Sequence, residues 1–289
     1  VAIPYDLSFV GYAWDLQSID LEASTSTVRF ADNELSLVVA NTVLPSMNMV
    51  AIPAGTFMMG SNAPSVSPYY GEAWERPVHQ VTISRPFWIG KYEVTQAEYH
   101  AVMGVNPSYV QGATRPVETV SWNEAMAYCA ALTAREAAAG RLPSGYVYRL
   151  PTEAEWEYCC RGVTTTEFHH GPALVCGQAN FYYSYHTSSY CNSNSTVPVG
   201  GYVPNAWGLF DMHGNVWEWC LDTWDGTTGY PSSPVVDPYV SNSGTFRVRR
   251  GGWWRSYSDD CRSAYRNGAT PSFRFSSIGF RRVLAPVLP

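Results

Sequence analysis

Three matching helix-start signals confine the helices of this sequence to one stretch. Thr95-Gln96-Ala97-Glu98, Ser121-Trp122-Asn123-Glu124 and Thr152-Glu153-Ala154-Glu155 each set a hydroxyl three residues ahead of a glutamate. Hydroxyl and carboxylate then satisfy each other's backbone N–H groups at the start of a helix. The first predicts a helix to about Met103. The second predicts one to about Ala139, stopped by Gly140, with Trp122, Ala125, Met126, Cys129 and Leu132 on one face. The third predicts a short helix through Tyr158. From Gly162 to Leu284 turns, short strands and aromatic residues take over with no helix signal. Ahead of the helices, residues 49–60 read as a hairpin punctuated by Pro53 and Gly55, and residues 78–83 and 87–94 as further strands. The chain is therefore expected to be α+β: a twisted antiparallel sheet, two main helices and a long irregular second half.

Bulk properties exclude several partners. With a net charge of −6 the chain has no basic field for nucleic acid or anionic lipid. No apolar run approaches the roughly 18 residues needed to span a bilayer. Seven cysteines, an odd number, leave at least one free or paired between chains. No Cys/His set has zinc spacing. Cys129, on an apolar helix face, reads as a buried thiol, and Cys176 and Cys191 flank a polar loop that a disulfide would close. Residues 1–46 differ in character. Strands over 8–14 and 35–40, with a turn at 31–34, predict an N-terminal β extension packed on a main domain of residues 47–289.

Several phrases are specific. They are residues 53–61 (Pro53 to Ser61), Tyr92-Glu93-Val94-Thr95, Pro116 to Trp122, Tyr148 to Tyr158, Gly208 to Trp219, Arg250-Gly251-Gly252 and Gly279-Phe280-Arg281. Over roughly residues 49–284 the chain resembles the formylglycine-generating enzyme family, which implies a variant of the C-type lectin fold. That resemblance implies a calcium site on the side chains of Asp211 and Glu218 and the carbonyls of Gly214 and Val216, and a second beginning at Asn180 and the Phe181 carbonyl. It also implies a copper-binding cysteine pair after the paired glycines, where soft thiolates would select Cu(I). Between Gly252 and Phe280 this chain has only Cys261. An iron-dependent sibling branch carries a histidine-rich domain ahead of the fold, and residues 1–46 contain no histidine. No copper or iron is expected, and no catalytic residue is assigned.

A third branch, the variable proteins of diversity-generating retroelements, is similar in its final stretch: Arg-Gly-Gly, Cys261-Arg262-Ser263-Ala264, Arg266, Pro271, then Gly279-Phe280-Arg281. In those proteins adenine-directed mutagenesis scatters residues across such a frame. A mutated asparagine codon readily gives Tyr, Asp, Ser, Gly, Ala, Thr or Phe. Ser256, Tyr257, Asp259, Asp260, Tyr265, Gly268, Ala269, Phe273, Phe275, Ser276 and Ser277 fit, Arg255 fits through two changed bases, and Trp253 lies off the simplest route. The resemblance thus implies a non-enzymatic monomer at the cell surface or exported, through a lipid anchor removed from its start. Residues 253–277 would contact a macromolecular ligand, a protein by their paratope-like composition. The alternatives are a divergent oxidoreductase acting on a thiol and a calcium-dependent lectin.

Other features have plainer readings. Glu153, Glu155 and Glu157 suit a helix start structurally. His169-His170 reads as a solvated loop pair without a third metal ligand, and His79 as a half-buried strand histidine. Tyr182, Tyr183, Tyr185, Tyr190 and His186 read as either a packed cluster or a ligand rim.

Overall fold

The computed structural model describes residues 27–28, 37–38, 48–62, 73–191, 194–242 and 244–288. The chain divides into two units, residues 1–44 and 45–289. In the first, Thr27–Val28 pairs antiparallel with Leu37–Val38. The strand expected over 8–14 and the turn at 31–34 lie outside the described residues.

All three start signals form reciprocal caps in the second unit: α1 (Gln96–Met103), α2 (Trp122–Ala138) and α3 (Glu153–Arg161). In α1, Glu98 accepts the Thr95 backbone N–H at 2.9 Å while the Thr95 hydroxyl accepts that of Glu98 at 3.2 Å. α3 extends a turn past Tyr158, to Gly162 in the left-handed conformation. α2 buries Ala125, Tyr128, Cys129 and Leu132, with Trp122 and Met126 partly buried against the same cluster.

The strands depart from the single antiparallel sheet expected. One four-stranded sheet runs Met49–Ile52, Phe87–Gly90, Val283–Pro286, Tyr146–Arg149, all antiparallel. A second runs Arg266–Ala269, Phe246–Arg250, Trp217–Trp224, Ile278–Gly279, the last pair parallel. A third joins Gly55–Met59 to His79–Ile83 antiparallel, with Val235–Val236 added in parallel. The hairpin expected over 49–60 is therefore corrected. Its two strands enter different sheets, and Ile52 and Met59 meet in one buried apolar cluster. α3 crosses behind the second sheet and puts Trp156, fully buried, against that core.

Candidate functional site

Segment 250–281 is held from beneath by its arginines. Arg250 reaches Glu157 and the carbonyls of Ser263, Ala264 and Tyr265. Arg262 makes a two-pronged pair with Glu75 at 2.7 and 2.8 Å and meets Glu167 at 3.2 Å. Arg266 pairs with Glu153, and Arg281 with Glu218 at 2.9 Å. All four guanidinium groups are buried. Burial alone would favour neutral side chains, but partner carboxylates hold Arg262, Arg266 and Arg281 charged, with pKa raised. Glu153, Glu155 and Glu157, read as structural, each carry an ion pair: to Arg266, Arg149 and Arg161 respectively. Buried pairs with excellent geometry fix a conformation more than they stabilise it, and breaking one strands a charge.

The paired glycines are required by shape. Gly251 and Gly252 have φ of +90° and +76°, in the left-handed region. A Cβ on Gly252 would stand 2.5 Å from the Cys261 sulfur, and one on Gly279 would stand 2.3 Å from the Val117 carbonyl oxygen.

Of the residues expected to contact ligand, Arg255, Tyr257, Phe273 and Phe275 are exposed, and Trp253, Asp260, Gly268 and Ser276 are half-exposed. Trp253, Phe275 and Phe273 form a chain of rings with centroids 6.2 and 6.3 Å apart. Five others are corrected to interior positions. Ser256 accepts the Trp253 N–H on its hydroxyl, and Asp259 is buried within the short turn Ser258–Cys261. Tyr265 packs toward Trp217 in the core, Ala269 pairs with Arg247 in a strand, and Ser277 accepts the Trp217 N–H on its carbonyl. Burial pushes the Asp260 carboxyl up to about 6.

The tyrosine-rich loop is a hairpin, Tyr183–Ser184 against Ser189–Tyr190, closed at its base by a Cys176–Cys191 disulfide. It docks on the segment through main chain. The Tyr182 N–H donates to the Ser256 carbonyl at 2.9 Å, and Tyr183 bridges Tyr257. The Tyr185 N–H donates to the Ser258 hydroxyl at 3.1 Å. Tyr257 then stacks on Tyr185 at 5.2 Å and sits edge-on to Tyr183 at 5.8 Å.

Cys261 is fully buried, and burial drives its thiol well above the ordinary cysteine range. Such a sulfur is neither exposed nor ionised for nucleophilic or redox chemistry. The five free cysteines are all buried, Cys129 among them.

The oxygen donors rearrange the expected calcium set. Both Glu218 oxygens are taken, by Arg281 at 2.9 and 3.1 Å and by the Trp156 indole N–H at 2.8 Å, so Glu218 does not fit as a ligand. Asp211 accepts the Gly200 N–H at 2.6 Å on one oxygen, and its other oxygen has no partner among the described residues. The same holds for Glu93, which accepts from the Asn215 amide at 3.0 Å and keeps one buried oxygen without a partner. Burial and then the charge of Asp211 push Glu93 up, and burial pushes Asp211 up to about 6. Gly214 donates its N–H to the Gly251 carbonyl at 2.7 Å, and Val216 is buried beside Gly279. The Asn180 amide, expected to open a second calcium site, donates to Asn215 at 3.0 Å. Sequence reasoning had missed Glu93, whose one signal is a carboxylate between apolar neighbours in a strand-like run.

His169 and His170 are half-buried rather than solvated, with ring centroids 3.8 Å apart, and His169 stacks on buried His213 at 4.8 Å. Burial holds His213 neutral, its Nδ1 lying 2.7 Å from the Cys261 carbonyl. His79 is buried, with Nδ1 3.3 Å from the Pro77 carbonyl. Among the described residues no group of three or more His, Cys, Asp or Glu side chains is arranged to hold a metal ion.

The family profile described as the sulfatase-modifying factor enzyme 1-like domain matches residues 35–286. The chain belongs to this family. The family match begins ahead of Met49, where the recognisable phrases start. The formylglycine-generating enzyme of Thermomonospora curvata is 30% identical over 302 residues, covering 83% of this chain and 94% of its own. Treponema denticola variable protein 1 superposes with a TM-score of 0.66 at 29% identity, over 82% of this chain and 95% of its own. PvdO from Pseudomonas aeruginosa superposes at 0.63 with 30% identity, over 82% and 93%. The chain is thus similar both to proteins named as enzymes and to one named a variable protein. In this chain the fold is mixed α+β, and no helix among the described residues is long and apolar enough to cross a membrane.

Proposed function

We propose that this chain is a non-enzymatic display protein whose segment 253–277 binds a macromolecular ligand. One observation carries the reading. Arg250, Arg262, Arg266 and Arg281, with Gly251, Gly252 and Gly279, are locked into the interior, while Arg255, Tyr257, Phe273 and Phe275 stand outward on that frame. Trp, Tyr and Arg are the side chains that dominate binding energy at protein interfaces. The sealed state of Cys261, the segment's single cysteine, argues against thiol oxidation. The likeness to a variable protein supports diversification by a retroelement. Sequencing of sibling copies is expected to find differences concentrated at residues 253–277 beside a template repeat. Copper-loaded chain is expected to leave a cysteine-containing peptide unoxidised; turnover on that peptide would instead establish the oxidoreductase reading.

The cell surface, or export, is the proposed location, supported by the Cys176–Cys191 disulfide, which persists in oxidising compartments. Calcium in this chain is proposed to be structural and held through Glu93 and Asp211, the buried carboxylates with spare oxygens, since hard oxygen donors suit it. Millimolar calcium is expected to raise the melting temperature of the parent and to leave Glu93→Gln unmoved. An unmoved parent removes the ion from the account.

A further inference from the structure

The ring of Tyr257 meets those of Tyr182, Tyr183 and Tyr185, yet these three belong to the tyrosine hairpin, where Tyr185 lies 73 residues upstream of Ser258. Resting on the display reading above, we propose that residues 182–190 form a constant half of the ligand face, and that its partner is an acidic protein surface.

The constant half follows from how the two pieces are joined. Three contacts fasten the hairpin to residues 256–258: the Tyr182 N–H to the Ser256 carbonyl, the Tyr183–Tyr257 bridge, and the Tyr185 N–H to the Ser258 hydroxyl. Ser256 and Ser258 are buried. Neither Arg255 nor the Tyr257 side chain is needed for this attachment, so both can change while the hairpin stays in place. The disulfide fixes its base. Its rings support one another edge-on, Tyr182 and Tyr183 against Tyr190 at 5.2 and 4.8 Å. Tyr190 nonetheless remains 64% exposed, a large apolar ring held out toward solvent. Rigid tyrosines give contact area at small entropic cost, which suits an anchor used with many partners.

The partner's charge follows from which ionic groups reach the surface. Of the arginines of segment 253–277, Arg255 and Arg274 are exposed while Arg262 and Arg266 are buried in ion pairs, whereas Asp259 is buried and Asp260 is half-buried. Arg274 leans on Glu124 at 3.0 Å with both side chains partly in solvent. In a chain of net charge −6, this segment therefore turns cationic groups and tyrosine hydroxyl donors outward while its own aspartates are withdrawn. Such a face is complementary to carboxylates and carbonyls flanked by apolar surface.

The test displays the full chain with the codons for Tyr257, Phe273 and Phe275 randomised, Arg255 and Arg274 kept, and selects in parallel on barstar, an acidic protein, and on lysozyme, a basic one. Tyr185→Ala and Tyr190→Ala are then introduced together into each independent clone. Clones are expected from the barstar arm, and the double substitution is expected to weaken them by at least about tenfold with melting temperatures unchanged. Clones recovered as readily on lysozyme overturn the acidic partner. Clones indifferent to the double substitution overturn the constant half. A folded library that yields no binder to either probe removes the display reading itself.

Discussion

Gly252 has no room for a side chain. It needs a left-handed backbone, and a side chain there would enter the space of the Cys261 sulfur at 2.5 Å. Gly252→Ala is expected to cost on the order of 1–3 kcal/mol in chemical denaturation, while Arg255→Ala and Phe275→Ala stay within about 0.5 kcal/mol. Glu157 is equally confined. It is fully buried between Arg250 and Arg161, and Glu157→Gln strands buried positive charge at a cost of about 3–5 kcal/mol. Asp222 gives a pH signature. Burial, then the charge of Glu153, pushes its carboxyl up to about 7, far above the usual aspartate range. The folded state therefore keeps a proton that the unfolded chain releases from about pH 4 upward. The contribution is whole below that pH and is lost as pH rises through about 7. Asp222→Asn is expected to gain stability relative to the parent between pH 4 and 8, read as the difference between two melting curves at each pH; a difference flat with pH would contradict it.

At the scale of elements, what could be read from sequence divides by range. The three helices were legible because a capping box closes within four residues, and their starts fall where the boxes do. The split of residues 49–60 between two sheets was not, because each strand's partner lies elsewhere: Phe87–Gly90 for one, His79–Ile83 for the other. The ion pairs under the segment were equally hidden, since Glu157 and Arg250 are 93 residues apart and Glu75 and Arg262 are 187. The composition of residues 253–277 predicts an aromatic surface but not which side chains point inward. Ser256, Asp259, Tyr265, Ala269 and Ser277 proved interior: Ser256 is bonded to Trp253, Asp259 falls in a short turn, Ala269 in a paired strand, and Tyr265 and Ser277 lie against Trp217. The hairpin is the element most open to test. Its disulfide closes a loop with a sequence separation of 15, for which chain entropy suggests about 3 kcal/mol. Cys176→Ser with Cys191→Ser is expected to approach that loss, with hydrogen exchange quickened chiefly over residues 182–190.

For the whole molecule, the arrangement separates positions that hold the fold from positions that meet solvent. Scrambling Arg255, Tyr257, Phe273 and Phe275 together is expected to move the melting temperature by no more than about 4 °C, the shift that roughly 1 kcal/mol produces in a domain of this size. A fall several times larger would mean that these side chains support the core. The order of elements has one more consequence. Val283–Pro286 follows the segment directly and lies inside its sheet, paired on both sides with Phe87–Gly90 and Tyr146–Arg149. A frameshift or stop codon anywhere between residues 253 and 277 therefore deletes Arg281 and an interior strand together, and such a chain has no fold to present. Folding itself proofreads the gene: each intact molecule certifies that residues 253–277 were read in frame.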